Sequence, residues 1–553
     1  MSYPQPLIFK RHPFFNPPPL GRIILVGLYF ILILILLFHD SIVSGPMYYE
    51  TIAYRAAWVS VCQVSLIFLL AMKNSIIGVL IGSSHERLNW LHRTVARCLL
   101  FTVTIHFGFF WREWWIYSAI ESELATMTMV KFGLGAWSVL IWIVFSSFAP
   151  IRNIRYEVFV VQHIISFIAF ITCIMLHVPD YAKVYVWLPV GFYGLDRSLR
   201  TLRLVYRNLG IFHRKTRKNL FSCKAHLTAL PGCATRITIQ NPPVRSWSPG
   251  QHVFISMPSI SPFQSHPFTI ASCPSSATKE LSFVVRAHAG FSRRLYNCAT
   301  SLLPTTSHPA KERAFTIFLD GPYGCPPNFL QYDTLVLIAG STGVTFTVPI
   351  LLHALESPSP SCVRRIQFTW IVKAGSHFEW FANEISHALD LADQRGIDLD
   401  IRTYVTCDPT YTTNFPVRKP PSSTSKKPCC CTRFLDESSS STANGSEADS
   451  ISTGLSSTPS EDSDSDTQGM CTCNCSSGAE RSPVPVEIGR PDLRTILERN
   501  LMLARGETGV AVCGPEGLMA RTRCLVAALS DERGAEKGTG AFGVELFGEG
   551  FGW

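Results

Sequence analysis

The sequence is poor in charged residues. Asp, Glu, Lys and Arg make up 16% of the 553 residues, whereas soluble domains contain about 25%. Hydrophobic residues reach 47%, and the mean hydropathy is +0.19. Apolar runs crowd roughly the first 200 residues, and a mixed, Pro- and Gly-punctuated texture follows. This distribution excludes an entirely soluble protein and predicts a region in the lipid bilayer followed by a soluble region.

Two further patterns are missing from the sequence. The 18 cysteines are scattered or grouped in one polar loop, so the spacing of a secreted disulfide framework is absent. The net charge is +9, but much of the basic excess lies beside apolar runs, as it does in membrane proteins. We therefore expect no nucleic-acid partner.

Six apolar runs approach the length that crosses a bilayer. They lie at residues 21–38, 58–81, 90–111, 132–150, 157–178 and 183–201. The first run is short and follows basic residues, so a signal peptide is the alternative to a retained anchor, although no small-residue cleavage site follows it. Most flanking arginines fall on one side of the spans, which predicts that both termini and the soluble region are cytosolic.

Four histidines lie within the apolar runs and repeat one spacing. His92 and His106 are fourteen residues apart, as are His163 and His177. In an α-helix this separation is close to four turns and about 21 Å, so both histidines of a pair face the same way near opposite leaflets. The charge pattern makes the third and fifth runs parallel, from the cytosol outward, so we expect His92 to pair with His163 at the inner level and His106 with His177 at the outer level. Facing imidazoles are suited to six-coordinate haem, whereas hydrogen-bonded core histidines are the alternative.

Short β-type runs separated by Pro, Gly and Ser occupy about residues 220–330, which predicts a small antiparallel barrel. Strands and helices then alternate, which predicts a parallel, doubly wound sheet. The turns GSTGVTF at 340–346 and CGPEGL at 513–518 each follow a strand. Both could meet a nucleotide at the carboxyl edge of the sheet, although GSTGVTF lacks the complete GxGxxG pattern.

Several motifs together resemble one family. HPFTIAS at 266–272, GPYG at 321–324, the two turns above, the terminal FGW and the repeated histidine spacing are similar to those of the ferric reductase and NADPH oxidase superfamily. Within it, the chain most resembles fungal ferric-chelate reductases. The resemblance implies a multi-domain membrane protein: a six-helix transmembrane haem bundle, an antiparallel β-barrel FAD domain and an α/β doubly wound NADPH-binding domain like that of ferredoxin reductases.

The expected domain boundaries follow from this organisation. A cytosolic N-terminal segment covers residues 1–20, the transmembrane ferric-reductase-like haem domain 21–205, the FAD-binding barrel 215–330 and the NADPH-binding domain 331–553. Within the last domain, the Ser- and Cys-rich stretch at 408–485 is expected to be a disordered insertion, with a regulatory or metal-binding loop as the alternative.

The resemblance also assigns residues to cofactors. His92, His106, His163 and His177 would ligate two haem b irons. The FAD-binding residues would be His266, Pro267, Phe268, Thr269, Ile270, Ala271, Ser272, Arg286, Gly290, Phe291, Ser292 and the terminal Trp553, which would cover the flavin ring. The NADPH-binding residues would be Gly340, Ser341, Thr342, Gly343, Arg490, Cys513, Gly514 and Pro515.

The implied activity is electron transfer from cytosolic NADPH through FAD and two haems to extracellular ferric chelates, with cupric ions as a further acceptor. No catalytic acid or base is expected. The alternatives are an NADPH oxidase that releases superoxide and a histidine-lined transporter regulated by a nucleotide-binding domain. The expected location is the plasma membrane, with the vacuolar membrane as the alternative. The expected partners are ferric chelates and the lipid bilayer; no partner protein is indicated, although the activity would suit an iron-uptake system.

Overall fold

The computed structural model describes residues 18–42, 45–81, 83, 85–209, 223–244, 246–262, 264–273, 280–303, 313–408, 484–535 and 543–550. Most of the predicted N-terminal segment, most of the predicted insertion and Trp553 lie outside these residues.

The first part of the described chain is helical. In chain order the helices are α1 (Leu20–Phe38), α2 (Tyr48–Ala71), α3 (Ile76–Leu80), α4 (His85–Ile116), α5 (Ile120–Thr126), α6 (Thr128–Ser146), α7 (Ala149–Ile154), α8 (Tyr156–His177) and α9 (Lys183–Asn208). Helices α2, α4, α6 and α8 share a core that includes Val64, Leu99, Leu140 and Phe170. Much of the outward surface is apolar, as expected for helices that face lipid.

Five of the described helices, α1, α2, α4, α6 and α8, are long and apolar enough to cross a membrane. The sixth predicted run is helical as well, but α9 does not have this apolar composition, because Asp196 and several arginines occupy its second half. The six-span prediction is therefore supported for five spans in the described residues.

The second span also differs from its prediction. Residues 58–81 were expected to form it, but α2 begins at Tyr48 and ends at Ala71. The chain turns at Asn74, whose side-chain nitrogen Nδ2 donates a hydrogen bond to Oδ1 of Asp196 at 2.9 Å. Ser75 then caps α3 by accepting a hydrogen bond from the main-chain nitrogen of Gly78 at 3.2 Å.

A β-rich domain follows, built from β1 (Lys224–Leu230), β2 (Ala234–Gln240), β3 (His252–Ser256), β4 (His266–Thr269), β5 (Glu280–Arg286), helix α10 (Gly290–Thr300), β6 (Phe315–Thr316) and β7 (Phe318–Tyr323). Among the described residues these strands form two antiparallel sheets, in the orders β5-β2-β1-β6 and β4-β3-β7. The strands and their antiparallel pairing agree with the prediction, whereas a closed barrel is not seen in this part of the chain. The sheets enclose one core that includes Ile237, Val253 and Phe283.

The last domain is a parallel α/β sandwich. Its elements are β8 (Thr334–Gly340), α11 (Val344–Glu356), β9 (Arg365–Val372), α12 (Ala382–Arg395), β10 (Asp398–Val405), β11 (Val486–Ile488), α13 (Leu493–Leu503), β12 (Thr508–Gly514), α14 (Glu516–Ala535) and β13 (Val544–Gly550). The strand order is β11-β10-β9-β8-β12-β13, and every pair is parallel. The order reverses between β8 and β12, which makes a topological switch point where ligands bind in such sheets.

Candidate functional site

Two of the four span histidines face each other. The imidazole rings of His106 on α4 and His177 on α8 have centroids 6.0 Å apart, with an angle of 72° between their planes. The pairing predicted for these two residues is therefore present. Both histidines lie in the second half of their helices, whereas the first turns of these helices contact the soluble domains.

Main-chain carbonyls fix the orientation of both rings. Nδ1 of His106 lies 2.9 Å from the carbonyl oxygen of Ala53, and Nδ1 of His177 lies 2.9 Å from that of Met129. When Nδ1 carries the proton and donates it to the carbonyl, Nε2 keeps its lone pair and is the nitrogen available to a metal. A hydrogen bond from the other ring nitrogen to a carbonyl oxygen is characteristic of metal-binding histidines.

Gly133 on α6 makes room for the ring of His177. A Cβ at this position would lie 2.6 Å from both Cε1 and Nδ1 of the imidazole. Any other side chain would displace the ring from its present position. The sequence offered one signal for this residue, since it is a glycine within an apolar span.

The second pair lies nearer the soluble domains. Nδ1 of His92 lies 3.1 Å from the carbonyl oxygen of Ile67, and His92 and His163 are close enough to interact electrostatically. Nδ1 of His163 is buried and has no hydrogen-bond partner among the described residues. A buried ring nitrogen without a partner is costly, so a bound group at this level would relieve that cost.

The two pairs suit haem better than a bare ion. In the described part of the chain, no group of three or more His, Cys, Asp or Glu side chains could hold a metal, and a protein-bound ion usually needs about four ligands. A porphyrin supplies four nitrogens itself, so two histidines complete the coordination. The residues present therefore fit two bis-histidine haems.

The bundle end that carries His92 contacts the β-rich domain. One Glu86 carboxylate oxygen lies 3.1 Å from Nε2 of His252 on β3 and 3.1 Å from Nδ1 of His85. Arg200 of α9 forms an ion pair with Asp320 of β7, at 2.5 Å. These contacts place the β-rich domain at the end of the bundle that carries His92 and His163.

Lys73 lies just beyond α2 and contacts the same domain. Its ammonium nitrogen is 3.2 Å from the centroid of the Phe254 ring and 5.4 Å from that of Tyr323. Burial, followed by the neighbouring Arg200, lowers the pKa of Lys73 to about 8. Lys73 thus joins the bundle to the β-rich domain instead of extending freely toward the membrane interface.

The last domain, called the nucleotide domain because its two turns are expected to bind NADPH, also reaches the bundle. Arg87 at the start of α4 forms an ion pair with Glu549 of β13, at 2.5 Å, and donates to the carbonyl oxygen of Gly548 at 3.4 Å. In the sheet, Glu549 is the partner of Cys513 on β12. Nothing in the residue pattern indicates this contact, because its two residues are 462 positions apart.

Three of the residues expected to bind the flavin, His266, Phe268 and Phe291, lie together on the β-rich domain. His266 and Phe268 lie on β4, and the ring of His266 stacks on Phe291 at 4.8 Å and 25°. Burial lowers the pKa of His266, and its Nε2 is buried without a partner among the described residues. An unsatisfied nitrogen beside two aromatic rings fits a polar, planar ligand such as a flavin.

Other residues of the expected FAD set have structural contacts. The side chains of Ile270 and Ala271 are buried in the core, so only their main chains could meet a ligand. The hydroxyl of Ser272 accepts a hydrogen bond from the main chain of Ser282. The hydroxyl of Ser292 accepts from the main chain of His288 and donates to the carbonyl of Ala289, at 3.0 and 3.1 Å.

Gly290 begins α10 with a φ of +57°. The main-chain N–H groups of the first turn of this helix are the part of the site suited to a phosphate. Arg286 lies at the end of β5, four residues earlier, and donates to the Ser341 hydroxyl at 3.1 Å. This hydrogen bond brings the expected FAD and NADPH phosphate sites together.

The two glycine turns of the nucleotide domain meet at the switch point. A Cβ on Gly343 would lie 2.1 Å from the carbonyl oxygen of Cys513, and one on Gly340 would lie 2.8 Å from Cδ of Pro515. Ser341 has a φ of +54°, and its carbonyl accepts a hydrogen bond from the indole of Trp370 at 3.0 Å. The close approach of the turns explains why glycine is required at both positions.

Cys513 and Arg490 occupy different environments. Cys513 is 1% exposed, and its burial raises the pKa of the thiol. The side chain is therefore an uncharged, buried thiol and not a nucleophile. Arg490 is exposed and follows β11, at the carboxyl edge of the sheet but three strands from β8. Trp553 lies outside the described residues.

Family comparisons agree with this arrangement. Residues 56–174 match the ferric reductase like transmembrane component, 220–327 an FAD-binding domain, and 332–527 the ferric reductase NAD binding domain. The chain belongs to the ferric reductase superfamily. Its architecture is a transmembrane ferric reductase domain followed by FAD- and NAD-binding domains.

Relatives in this superfamily come from fungi and plants. The probable cell surface ferric reductase kap2 of Aspergillus oryzae is 28% identical over 421 residues, which is 70% of this chain and 54% of the relative. Ferric reductase transmembrane component 1 of Schizosaccharomyces pombe is 27% identical over 56% of this chain and 57% of its own. The chain thus spans about half the length of these curated relatives.

Among solved structures, a ferredoxin reductase in carbazole 1,9a-dioxygenase matches 60% of this chain and 69% of its own. The identity is 12% and the TM-score 0.32, which is too low to establish a shared fold.

Proposed function

We propose that this ferric reductase superfamily member transfers electrons from cytosolic NADPH, across the membrane, to ferric chelates on the other side, with cupric ions as a further acceptor. The observation that carries the proposal is the pair of facing imidazoles, His106 and His177, each oriented by a carbonyl. When bound, FAD accepts a hydride from NADPH and releases single electrons, which two haems b can carry across the bilayer.

The chain's residues would position these groups. His92 and His163 would ligate the inner haem, and His106 and His177 the outer one, with about 21 Å of helix rise between the levels. His266 to Ser272, together with Arg286 and Gly290 to Ser292, would hold FAD. The NADPH residues would be Gly340 to Gly343 and Cys513 to Pro515, with Arg490 at the 2′-phosphate and Trp553 over the flavin.

No side chain is required to move a proton at the acceptor. The work of the protein is ligation, orientation and exclusion of water, which together set potentials and distances. The carbonyls of Ala53 and Met129 hold the outer imidazoles before any acceptor arrives. Such a site can serve more than one acceptor, so the ferric chelate is supported by kinship with the named reductases.

The proposed topology rests on charge and on contacts. The bundle end that meets the soluble domains carries Arg87, Arg197 and Arg200, among others, and basic residues concentrate on the cytosolic side of membrane proteins. We place the FAD and NADPH domains in the cytosol, with the plasma membrane as the location and the vacuolar membrane as the alternative. An iron-uptake system would consume the product.

The test is anaerobic reduction of ferric citrate by the purified full chain, loaded with FAD and haem and driven by NADPH. We expect Fe(II) to form with the wild type and the rate to fall at least a hundredfold in His106→Ala. His39→Ala is the matched control, because His39 is an exposed histidine outside the spans.

Three results would contradict the proposal in different ways. Absence of a haem spectrum would favour the histidine-lined transporter. Superoxide release in air without anaerobic iron reduction would favour an NADPH oxidase. Unchanged bis-histidine haem content in His106→Ala would refute the ligation.

A further inference from the structure

We propose that a cluster of arginines at the flavin-facing end of the bundle binds the headgroup of an anionic phospholipid. The arginine cluster consists of Arg22 on α1, Arg93 and Arg97 on α4, Arg152 on α7 and Arg523 on α14. The first four belong to the membrane domain, whereas Arg523 belongs to the nucleotide domain. The site would therefore join two domains through a lipid.

The register of α4 brings the cluster together. Arg93 and Arg97 are one turn apart on α4, and Trp90 lies one turn before Arg93, so the three side chains share a face. The guanidinium carbon of Arg22 lies 4.9 Å from the centroid of the Trp90 ring. The guanidinium carbon of Arg97 lies 5.4 Å from the centroid of the Phe148 ring. Phe148 directly precedes α7, the helix that carries Arg152.

The guanidiniums of the cluster are close enough to influence one another. Arg93 is within electrostatic range of Arg152, Arg97 and Arg22, and Arg22 is within range of Arg523. In the part of the chain that the structure describes, neither a hydrogen bond nor an ion pair to a carboxylate is formed by Arg22, Arg93, Arg97 or Arg523. Repulsion between these guanidiniums would be relieved by a multivalent anion.

The position of the cluster favours a lipid over a soluble anion. Ile23 and Ile24, next to Arg22, are 45% and 47% exposed, so an apolar surface suited to acyl chains adjoins the charges. Trp90 is an aromatic residue of the kind that lines membrane interfaces. Basic pockets between membrane helices at this level bind anionic headgroups.

Binding can be measured independently of the proposed activity. The full chain, loaded with its cofactors, is titrated with phosphatidylinositol 4-phosphate in phosphatidylcholine nanodiscs, and retained lipid is counted by native mass spectrometry. We expect Arg523→Gln to weaken retention about fivefold and Arg93→Gln/Arg97→Gln about 25-fold, since each arginine near the surface contributes about a fivefold factor.

Two matched controls use arginines outside the cluster. Arg494→Gln alters a neighbouring helix of the nucleotide domain, where Arg494 is paired with Glu498. Arg55→Gln alters the bundle near His39, away from the soluble domains. Both variants should retain the lipid as the wild type does.

Three outcomes would overturn the proposal. Equal lipid retention in the wild type and in Arg523→Gln would show that the nucleotide domain takes no part. Loss of inner haem from the α4 variant, with lipid retention unchanged, would assign the cluster to haem propionates beside His92. Equal competition by soluble inositol phosphate would identify a free phosphate site instead of a lipid site.

Discussion

Replacing Gly133 by alanine should remove the proposed outer haem although no haem ligand is itself replaced. The new Cβ would lie 2.6 Å from Cε1 and Nδ1 of His177, whereas ordinary contacts begin near 3.4 Å. The ring must therefore move by about 0.8 Å, and metal–ligand distances tolerate only about 0.2 Å. The movement would also disturb the hydrogen bond between Nδ1 and the carbonyl of Met129. Loss of such an orienting contact lowers metal affinity about 10–100-fold.

Gly135→Ala is the control for this prediction. It lies on the same helix, and its Cβ would be 3.5 Å from Sγ of Cys173, an ordinary contact. Both substitutions should favour the helix by up to about 1 kcal/mol, so a general loss of stability cannot explain a difference between them. The assay is haem content per chain by the pyridine haemochrome method, with redox titration to distinguish the two haems. Full occupancy and unchanged potentials in Gly133→Ala would refute the argument that this glycine seats His177.

Three other predictions concern the soluble domains. Arg87→Glu should slow electron transfer from flavin to haem several-fold in stopped-flow absorbance, while flavin reduction by NADPH stays unchanged. Adding Glu549→Arg should restore the rate. If the reversed pair does not restore it, the ion pair is not the contact that positions the two domains. Gly343→Ala should abolish NADPH binding in calorimetric titration, because its Cβ would lie 2.1 Å from a carbonyl oxygen, whereas Gly517→Ala, which has open space around it, should bind normally. Burial, then the nearby Arg286, lowers the pKa of His377 to about 4, below its value in the unfolded chain. The free energy of unfolding should therefore fall by up to about 3 kcal/mol as the pH drops from about 6.5 to 4. Denaturant unfolding of His377→Asn should lack this pH dependence.

The residues that could be predicted from the sequence lie in local patterns. Both turns at the switch point follow strands, because short glycine-containing segments after apolar runs have few other structures available. The pairing of His106 with His177 followed from helical periodicity together with the charge pattern that makes the two helices parallel. The carbonyls of Ala53 and Met129 could not be predicted, since a main-chain acceptor leaves no trace in residue type.

Contacts between domains could not be predicted from the sequence either. Arg87 and Glu549 are ordinary surface charges in sequence, and only the docking of β13 on α4 makes them partners. A small antiparallel barrel was expected from the spacing of strands, but spacing does not determine which edges pair. Among the described residues β6 pairs with β1, while β7 pairs with β3, so the strands divide into two sheets.

The sixth predicted span shows why hydropathy misjudges a helix that serves two environments. The first half of α9 packs Val190 and Tyr193 against the core of the bundle, as a membrane helix does. Its second half carries charge because it binds the soluble domain: Arg200 pairs with Asp320, and Asn208 exchanges two hydrogen bonds of 2.9 Å with the main chain of Leu319. A buried charge in a membrane protein is tolerated when it is paired, so these polar residues do not argue against a place in the bundle. They make α9 the link, through the chain and through side-chain contacts, between the bundle and the FAD-binding domain.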